Sequence, residues 1–260
     1  MRITKEPFYK ESGKETEVFR HCAKNRLPVL LKGPTGTGKS RFVEYMAFQE
    51  QRPLYTVACH EETSATDLLG RYIIRGGETV WVDGPLTRAV REGAIIYLDE
   101  IAEARPDVIV AIHPLTDFRR TVYLDKLGEE VPAHQEFLLV ASYNPGYQRG
   151  FKELKPSTRQ RFVALSFDYP SPAVETEIVS QESGVETSVA KKLVKIAGKI
   201  RCLTTLRLAE TVSTRLLVDA GLLIASGLGN RLAVEVGILE PLTDDADSLS
   251  ALRDVANLMI

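Results

Sequence analysis

Cysteine is scarce in this chain, and the three present, Cys22, Cys59 and Cys202, are far apart with no CxxC pair. That excludes a disulfide framework and a zinc site of the usual spacing, and a reducing cytoplasm fits it. Long apolar runs are missing too: the longest, residues 216–229, is too short to span a bilayer and carries Asp219. The opening residues, MRITKEPFYKESGKETEVFRH, are charged throughout and hold no apolar signal-peptide core. Nor does one sign of charge dominate, since 33 Lys and Arg stand against 35 Asp and Glu, a net charge of -2. Such a balance provides no global field toward nucleic acid or an anionic membrane, so neither is expected as a partner. What is present is ordinary globular material, 44% hydrophobic and 26% charged, and 260 residues suit a large domain with a smaller one.

Five strand-like apolar runs recur, at residues 28–31, 54–58, 94–98, 137–142 and 162–167. Continuous runs of this kind mark strands buried on both faces, as in a parallel sheet covered by helices. After Ser40, the residues Phe42, Val43, Met46 and Ala47 share one helical face. Two segments interrupt the alternation. GRYIIRGGETVWVDG, residues 70–84, has short β-like runs around Gly76 and Gly77, and RRTVYLDKLGEEVPAHQEF, residues 119–137, has two around Gly128; both are expected to be hairpins. Beyond Asp168 a Pro-rich joint leads into helical patterns at 173–182, 188–201 and 213–227. The expected fold is α/β. A P-loop parallel five-stranded sheet, with helices on both faces and two hairpin insertions, fills residues 1–170, and a small all-α lid fills residues 171–260.

GPTGTGKS, Gly33 to Ser40, satisfies G-x-x-x-x-G-K-[ST] between a strand and a helix, the context a phosphate loop requires. Gly33, Gly36 and Gly38 let the backbone turn its N–H groups toward a phosphate at a helix N-terminus. Lys39 is expected to reach the β- and γ-phosphates of ATP, and the Ser40 hydroxyl to ligate Mg²⁺. Pro34, Thr35, Thr37 and Arg41 complete the candidate nucleotide-binding set.

The run AIIYLDE delivers Asp99 and Glu100 to the carboxyl end of the third strand, where ligands of open α/β sheets bind. Asp99 is the candidate Mg²⁺ holder and Glu100 the candidate base for an attacking water; the plain alternative is a pair of solvated turn acids. Asn144, after the fourth strand in LLVASYNPG, is either a γ-phosphate sensor or an Asn-Pro-Gly turn. Arg159 and Arg161, in LKPSTRQRF, are either surface arginines or an arginine finger aimed at a neighbouring subunit's γ-phosphate. Arg215, in STRLL, stands at a helix start where the dipole disfavours a cation, which points to a phosphate partner. His60, His113 and His134 show no metal spacing and are expected to be structural.

With these residues in hand, the chain resembles an AAA+ ATPase: phosphate loop, Asp99 and Glu100, sensor Asn144, finger before the fifth strand, and sensor Arg215 in a helical lid. The two insertions resemble those of the MoxR branch. LKGPTGTGKSRFVEYMA, VACHEETSATDLLGRY, DGPLTRAVREGAIIYLDEIAEARPDVIVAIHPLTDFRR, SYNPGYQ and STRLL resemble the CbbQ/NirQ/NorQ group, over nearly the whole chain. The resemblance implies ATP with Mg²⁺, a homohexamer, and a von Willebrand factor A domain partner of the CbbO type that helps to remodel a client enzyme. It also assigns the finger to Arg161, with Arg159 second, and places Val212 where a smaller residue is expected. SRFVEYMA, HPLTDFRR, SYNPGYQ and QRF resemble the CbbQ branch most, which makes release of inhibitory sugar phosphates from Rubisco the expected task. Activation of nitric oxide or nitrite reductase, the NirQ/NorQ task, and an ATP-dependent assembly scaffold are the alternatives. A DNA-dependent ATPase is disfavoured by the balanced charge and the lack of a basic aromatic stretch. Tyr72, Ile73, Ile74 and Trp81 on one hairpin, and Arg119, Arg120 and Tyr123 on the other, are expected near the ring axis or the partner.

Overall fold

The apolar runs become central strands in the computed structural model, which describes residues 2–145, 154–203, 206, 208 and 210–257. The chain forms two units: Met1–Gly33 with Lys39–Phe167, and Pro34–Gly38 with Asp168–Ile260. In chain order the first holds α1 (Glu15–Asn25), β1 (Val29–Lys32), α2 (Lys39–Gln49), β2 (Leu54–Ala58), α3 (Ala65–Leu69), β3 (Gly70–Arg75) and β4 (Glu78–Asp83). There follow α4 (Pro85–Glu92), β5 (Ile95–Asp99), α5 (Pro106–Ile112), β6 (Thr121–Leu124), β7 (Glu129–Pro132), β8 (Leu138–Tyr143), α6 (Pro156–Arg159) and β9 (Val163–Ser166).

Five strands form one parallel sheet in the order β2-β5-β8-β1-β9. Alternate residues sort to its two faces. Leu30, Ile96, Leu98 and Leu139 share a core with Leu86 and Val90 of α4 and Val108 and Ile112 of α5. Val29, Leu31, Ile95 and Val140 share another with Phe19 of α1 and Phe42 and Met46 of α2. Because both faces are covered, polar and apolar residues do not alternate along the strands. Each large side chain so buried contributes about 1.5–3 kcal/mol.

Both expected hairpins are present. Gly76 and Gly77, with φ of 64° and 88°, form the two-residue turn between β3 and β4. Both lie in the left-handed region that glycine enters without strain, and that turn twists with the strands it joins. Tyr72 pairs with Trp81 across this hairpin, ring centroids 5.2 Å apart and edge-on. β6 pairs antiparallel with β7, and the Tyr72 hydroxyl donates to the Lys126 carbonyl in its loop at 3.3 Å, so the two hairpins touch.

The second unit is helical: α7 (Pro172–Ser183), α8 (Thr187–Arg201), α9 (Thr214–Ala225), α10 (Asn230–Val234) and α11 (Ala246–Asn257), with a π turn at Glu235–Leu239. Ser171 and Ser213 cap α7 and α9, each side chain accepting the N–H three residues on, from Val174 and Leu216. Val179, Leu193, Ile196, Leu217, Ile238 and Leu252 build the core between them.

Inside that core lies a carboxylate. Glu175, 1% exposed, accepts from Arg201 Nη1 at 2.8 Å and Nη2 at 2.7 Å, and from Thr214 Oγ1 at 2.7 Å. Arg201 Nε donates to the carbonyl of fully buried Val212 at 2.8 Å, and its guanidinium lies 3.9 Å from the Tyr169 ring centroid. A buried charge persists only when paired and hydrogen-bonded, as this one is. Where the sequence suggests three lid helices, the described residues form five: α10 is a single short piece that runs into the π turn, and α11 carries few large apolar residues.

Candidate functional site

Strand β8 pairs with both β1 and β5, so the carboxyl ends of three neighbouring strands lie together. β1 leads into the Gly-rich loop, β5 ends at Asp99 with Glu100 next, and β8 is followed by Asn144. Residues 146–148 of the SYNPGYQ motif lie outside the described residues. At Gly33, where the loop leaves β1, an added Cβ would lie 2.1 Å from the Phe167 carbonyl oxygen. Backbone approaches backbone there, and only glycine fits.

Lys39 is buried, and its Nζ donates to the Gly33 carbonyl at 2.7 Å and to Asn144 Oδ1 at 2.8 Å. Both are neutral acceptors for the buried ammonium. Ser40 Oγ donates to Asp99 Oδ2 at 3.1 Å and lies 3.3 Å from the Tyr97 hydroxyl. The other Asp99 oxygen accepts from Tyr97 at 2.7 Å and from Ser142 Oγ at 2.5 Å. Burial, and then the Asp99 charge, push the Tyr97 phenol up, which keeps it a donor.

Glu100 has φ 53° and ψ 47°, a left-handed conformation uncommon for a residue with a side chain. Its N–H donates to Ser142 Oγ at 3.1 Å, so Ser142 fixes both acids at the strand end. Burial raises the Glu100 carboxyl above the usual range, Lys39 opposes the rise and Asp99 adds to it. The sequence brings out Asp99, Glu100, Lys39, Ser40 and Asn144, all joined in this cluster, but not Tyr97 and Ser142. A tyrosine inside a buried apolar strand reads as core, and the only available signal was its two-residue spacing from Asp99.

Magnesium favours oxygen ligands and keeps several positions for water and phosphate. The Ser40 hydroxyl and the Asp99 carboxylate fit it as donors. Among the described residues no group of three or more His, Cys, Asp or Glu could hold a metal unaided.

The remaining candidates lie elsewhere. Arg41 is exposed and donates to Glu44 on its own helix at 3.3 Å, and Thr37 Oγ1 donates to the Pro34 carbonyl at 2.9 Å. Arg159, at the end of α6, is exposed and makes no side-chain hydrogen bond or ion pair with another described residue. Half-buried Arg161 donates to Asp117 Oδ2 at 2.9 Å. Neither arginine is hydrogen-bonded to Lys39, Ser40, Asp99 or Glu100 of its own chain. In the second unit Arg215 is exposed at the second position of α9, while Thr35 Oγ1 donates to Glu210 at 3.0 Å. His113 Nε2 lies 3.3 Å from Thr158 Oγ1.

Two family profiles match the chain: the AAA domain of the dynein-related subfamily over residues 28–162, and the CbbQ/NirQ/NorQ C-terminal domain over residues 175–259. The protein NorQ of Paracoccus denitrificans is 60% identical over 96% of this chain and 93% of its own length. CbbQ of Hydrogenophilus thermoluteolus is 54% identical over 99% and 96%, and the denitrification regulatory protein NirQ of Pseudomonas aeruginosa is 54% identical over 98% of each. Among solved structures, a RuvB variant of Thermotoga maritima superposes with a TM-score of 0.55 at 17% identity, over 94% of this chain and 69% of its own. That likeness concerns the fold alone. The lean toward CbbQ drawn from short motifs is not upheld by whole-chain identity, which favours NorQ by 60% to 54%.

Proposed function

Because the chain belongs to the CbbQ/NirQ/NorQ group of AAA+ ATPases, we propose that it is an ATP-hydrolysing motor of the NorQ and NirQ type, acting with a partner on a nitric oxide or nitrite reductase. The observation that carries the hydrolytic part is the convergence of Lys39 with Asn144 and of Ser40 with Asp99, beside Glu100, at one sheet edge. The client is supported by relatives whose names tie them to denitrification.

In this reading residues 1–170 bind the nucleotide and residues 171–260 form the lid. The loop N–H groups and Lys39 hold the phosphates, with Gly33, Gly36 and Gly38 supplying the bends. Ser40 and Asp99 hold Mg²⁺, which when bound neutralises phosphate charge. Glu100 accepts the proton of the attacking water, and Asn144 orients that water from its bond to Lys39. Arg161 or Arg159 of one subunit in a homohexamer, with Arg215 of the lid, counters charge developing on the γ-phosphate. A von Willebrand factor A domain protein couples the ring to the client.

A second reading, release of sugar phosphates from Rubisco, is favoured by the 54% identity to CbbQ over 99% of the chain. Both readings meet one test. Wild type and Glu100→Gln are assayed for ATP hydrolysis and, with the partner, for activation of a nitric oxide reductase and of inhibited Rubisco. The variant is expected to hydrolyse about 100-fold more slowly or worse while still binding nucleotide, and only wild type is expected to activate the reductase. Activation of Rubisco alone selects the second reading, and activation by Glu100→Gln as good as wild type replaces the motor with a scaffold.

A further inference from the structure

Asp117 stands between the 3₁₀ turn His113–Leu115 and β6, and it holds two arginines on unequal terms. Its Oδ1 accepts from the Arg119 backbone N–H at 3.2 Å and from Arg119 Nε at 3.0 Å, while Oδ2 accepts from Arg119 Nη2 at 2.7 Å. Arg161 adds a single bond, Nη1 to Oδ2 at 2.9 Å. Arg119 therefore fixes the carboxylate through both oxygens, in the fork geometry that gives such pairs their strength. Arg161 can leave without freeing the carboxylate. Its pair is also open to water, with side-chain exposures of 35% for Arg161 and 19% for Asp117, and ion pairs in that setting are weak. A phosphate of higher charge competes readily for such a guanidinium.

The surroundings give this exchange somewhere to act. Phe118, the next residue, is 95% exposed, and Arg120 after it has a left-handed φ of 46° and donates to the carbonyls of Arg26 at 2.7 Å and Phe137 at 3.0 Å. β6 starts directly afterwards, and the β6–β7 loop is bonded to Tyr72 of the other hairpin. Arg119, and after it Arg161, keep the Asp117 carboxyl far below the usual range, so it stays charged throughout ordinary assay conditions.

We propose that Asp117 is a positioning residue that docks Arg161 while the neighbouring subunit's site lacks a γ-phosphate and releases it when one is bound, passing the state of that site to residues 117–120 and the β6–β7 hairpin. The inference rests on the reading of Arg161 as the finger, and deepens it: the same guanidinium has two alternative partners, one in its own chain and one next door. The exchange of partners, not a distant strain, is the signal.

The test uses full-length rings carrying Asp117→Asn, Asp117→Glu, Arg161→Ala or Arg159→Ala, with melting temperature as a control for folding and Asp117→Ser as a second charge-removing variant. Turnover is measured without client, and hydrogen exchange over residues 117–132 is measured with and without a non-hydrolysable ATP analogue. In wild type and Asp117→Glu the analogue is expected to change that exchange; in Asp117→Asn and Arg161→Ala it is not. Client-free turnover is expected to rise about threefold in Asp117→Asn, as a weak competing pair is removed, whereas a merely structural loss would lower it. If Arg161→Ala loses turnover but Asp117→Asn and Asp117→Ser match wild type in both measurements, the docking role is wrong and the finger stands. If Arg161→Ala turns over normally and Arg159→Ala does not, both are overturned.

Discussion

In its proposed role as the base, Glu100 carries opposite demands: it must be ionised to take a proton, yet burial favours its neutral form. The sign follows directly. Below its raised pKa the carboxyl is protonated and the base is lost, so the acid limb of the ATPase profile is expected at a higher pH than the ordinary glutamate value of 4.5 gives. The same shift means that the folded chain binds this proton more tightly than the unfolded one, so the contribution of Glu100 to stability is complete at low pH and declines as pH rises through the raised value. A pH-rate profile, with melting curves of wild type beside Glu100→Gln over the same range, checks both. A limb at or below 4.5 would contradict the burial of Glu100 in the working enzyme. The acid pair was legible because an apolar strand ends on it. Tyr97 and Ser142 were not, since an aromatic and a small hydroxyl in buried strands look like packing until β5 and β8 are set side by side.

Among the elements, the helical second unit depends on a charge that its helices hide. Glu175 looks like any surface glutamate near the start of α7, and it is buried only because Arg201, at the far end of α8, folds onto it. No periodicity announces such a pair. Breaking a buried pair strands the partner, so Glu175→Ala is expected to destabilise the chain by about 3–5 kcal/mol, while replacing both residues with methionine recovers much of that loss. Urea unfolding of the full chain, followed by helical circular dichroism, measures both; equal losses for single and double variants would mean that shape, not charge, sets the fit. The hairpins, by contrast, were plain from Gly76 and Gly77 and the β-branched runs beside them. The last helices of the second unit leave little trace in the sequence: α10 is too short to show a period, and the π turn after it breaks the helical repeat.

At the scale of the whole molecule, Arg159 and Arg161 make no bond to their own chain's Lys39, Ser40, Asp99 or Glu100, and in the proposed function a neighbour's arginine completes the site. Specific ATPase activity is therefore expected to rise with protein concentration and to level off as rings form, with light scattering reporting the assembly in parallel. A monomer with the same specific activity at every concentration would remove the need for a neighbour. Sheet order has a different consequence, in time. Val29 of β1 pairs with Val140 on one side and Val163 on the other. At about 5–20 residues per second, the strand that leads into the phosphate loop waits roughly 5–20 s on the ribosome for its first neighbour, with both edges open. Nucleotide is not expected to steady the nascent chain during that interval, because Asp99, which holds Ser40, ends a strand that reaches β1 only through β8, and Asn144, which holds Lys39, follows β8 itself.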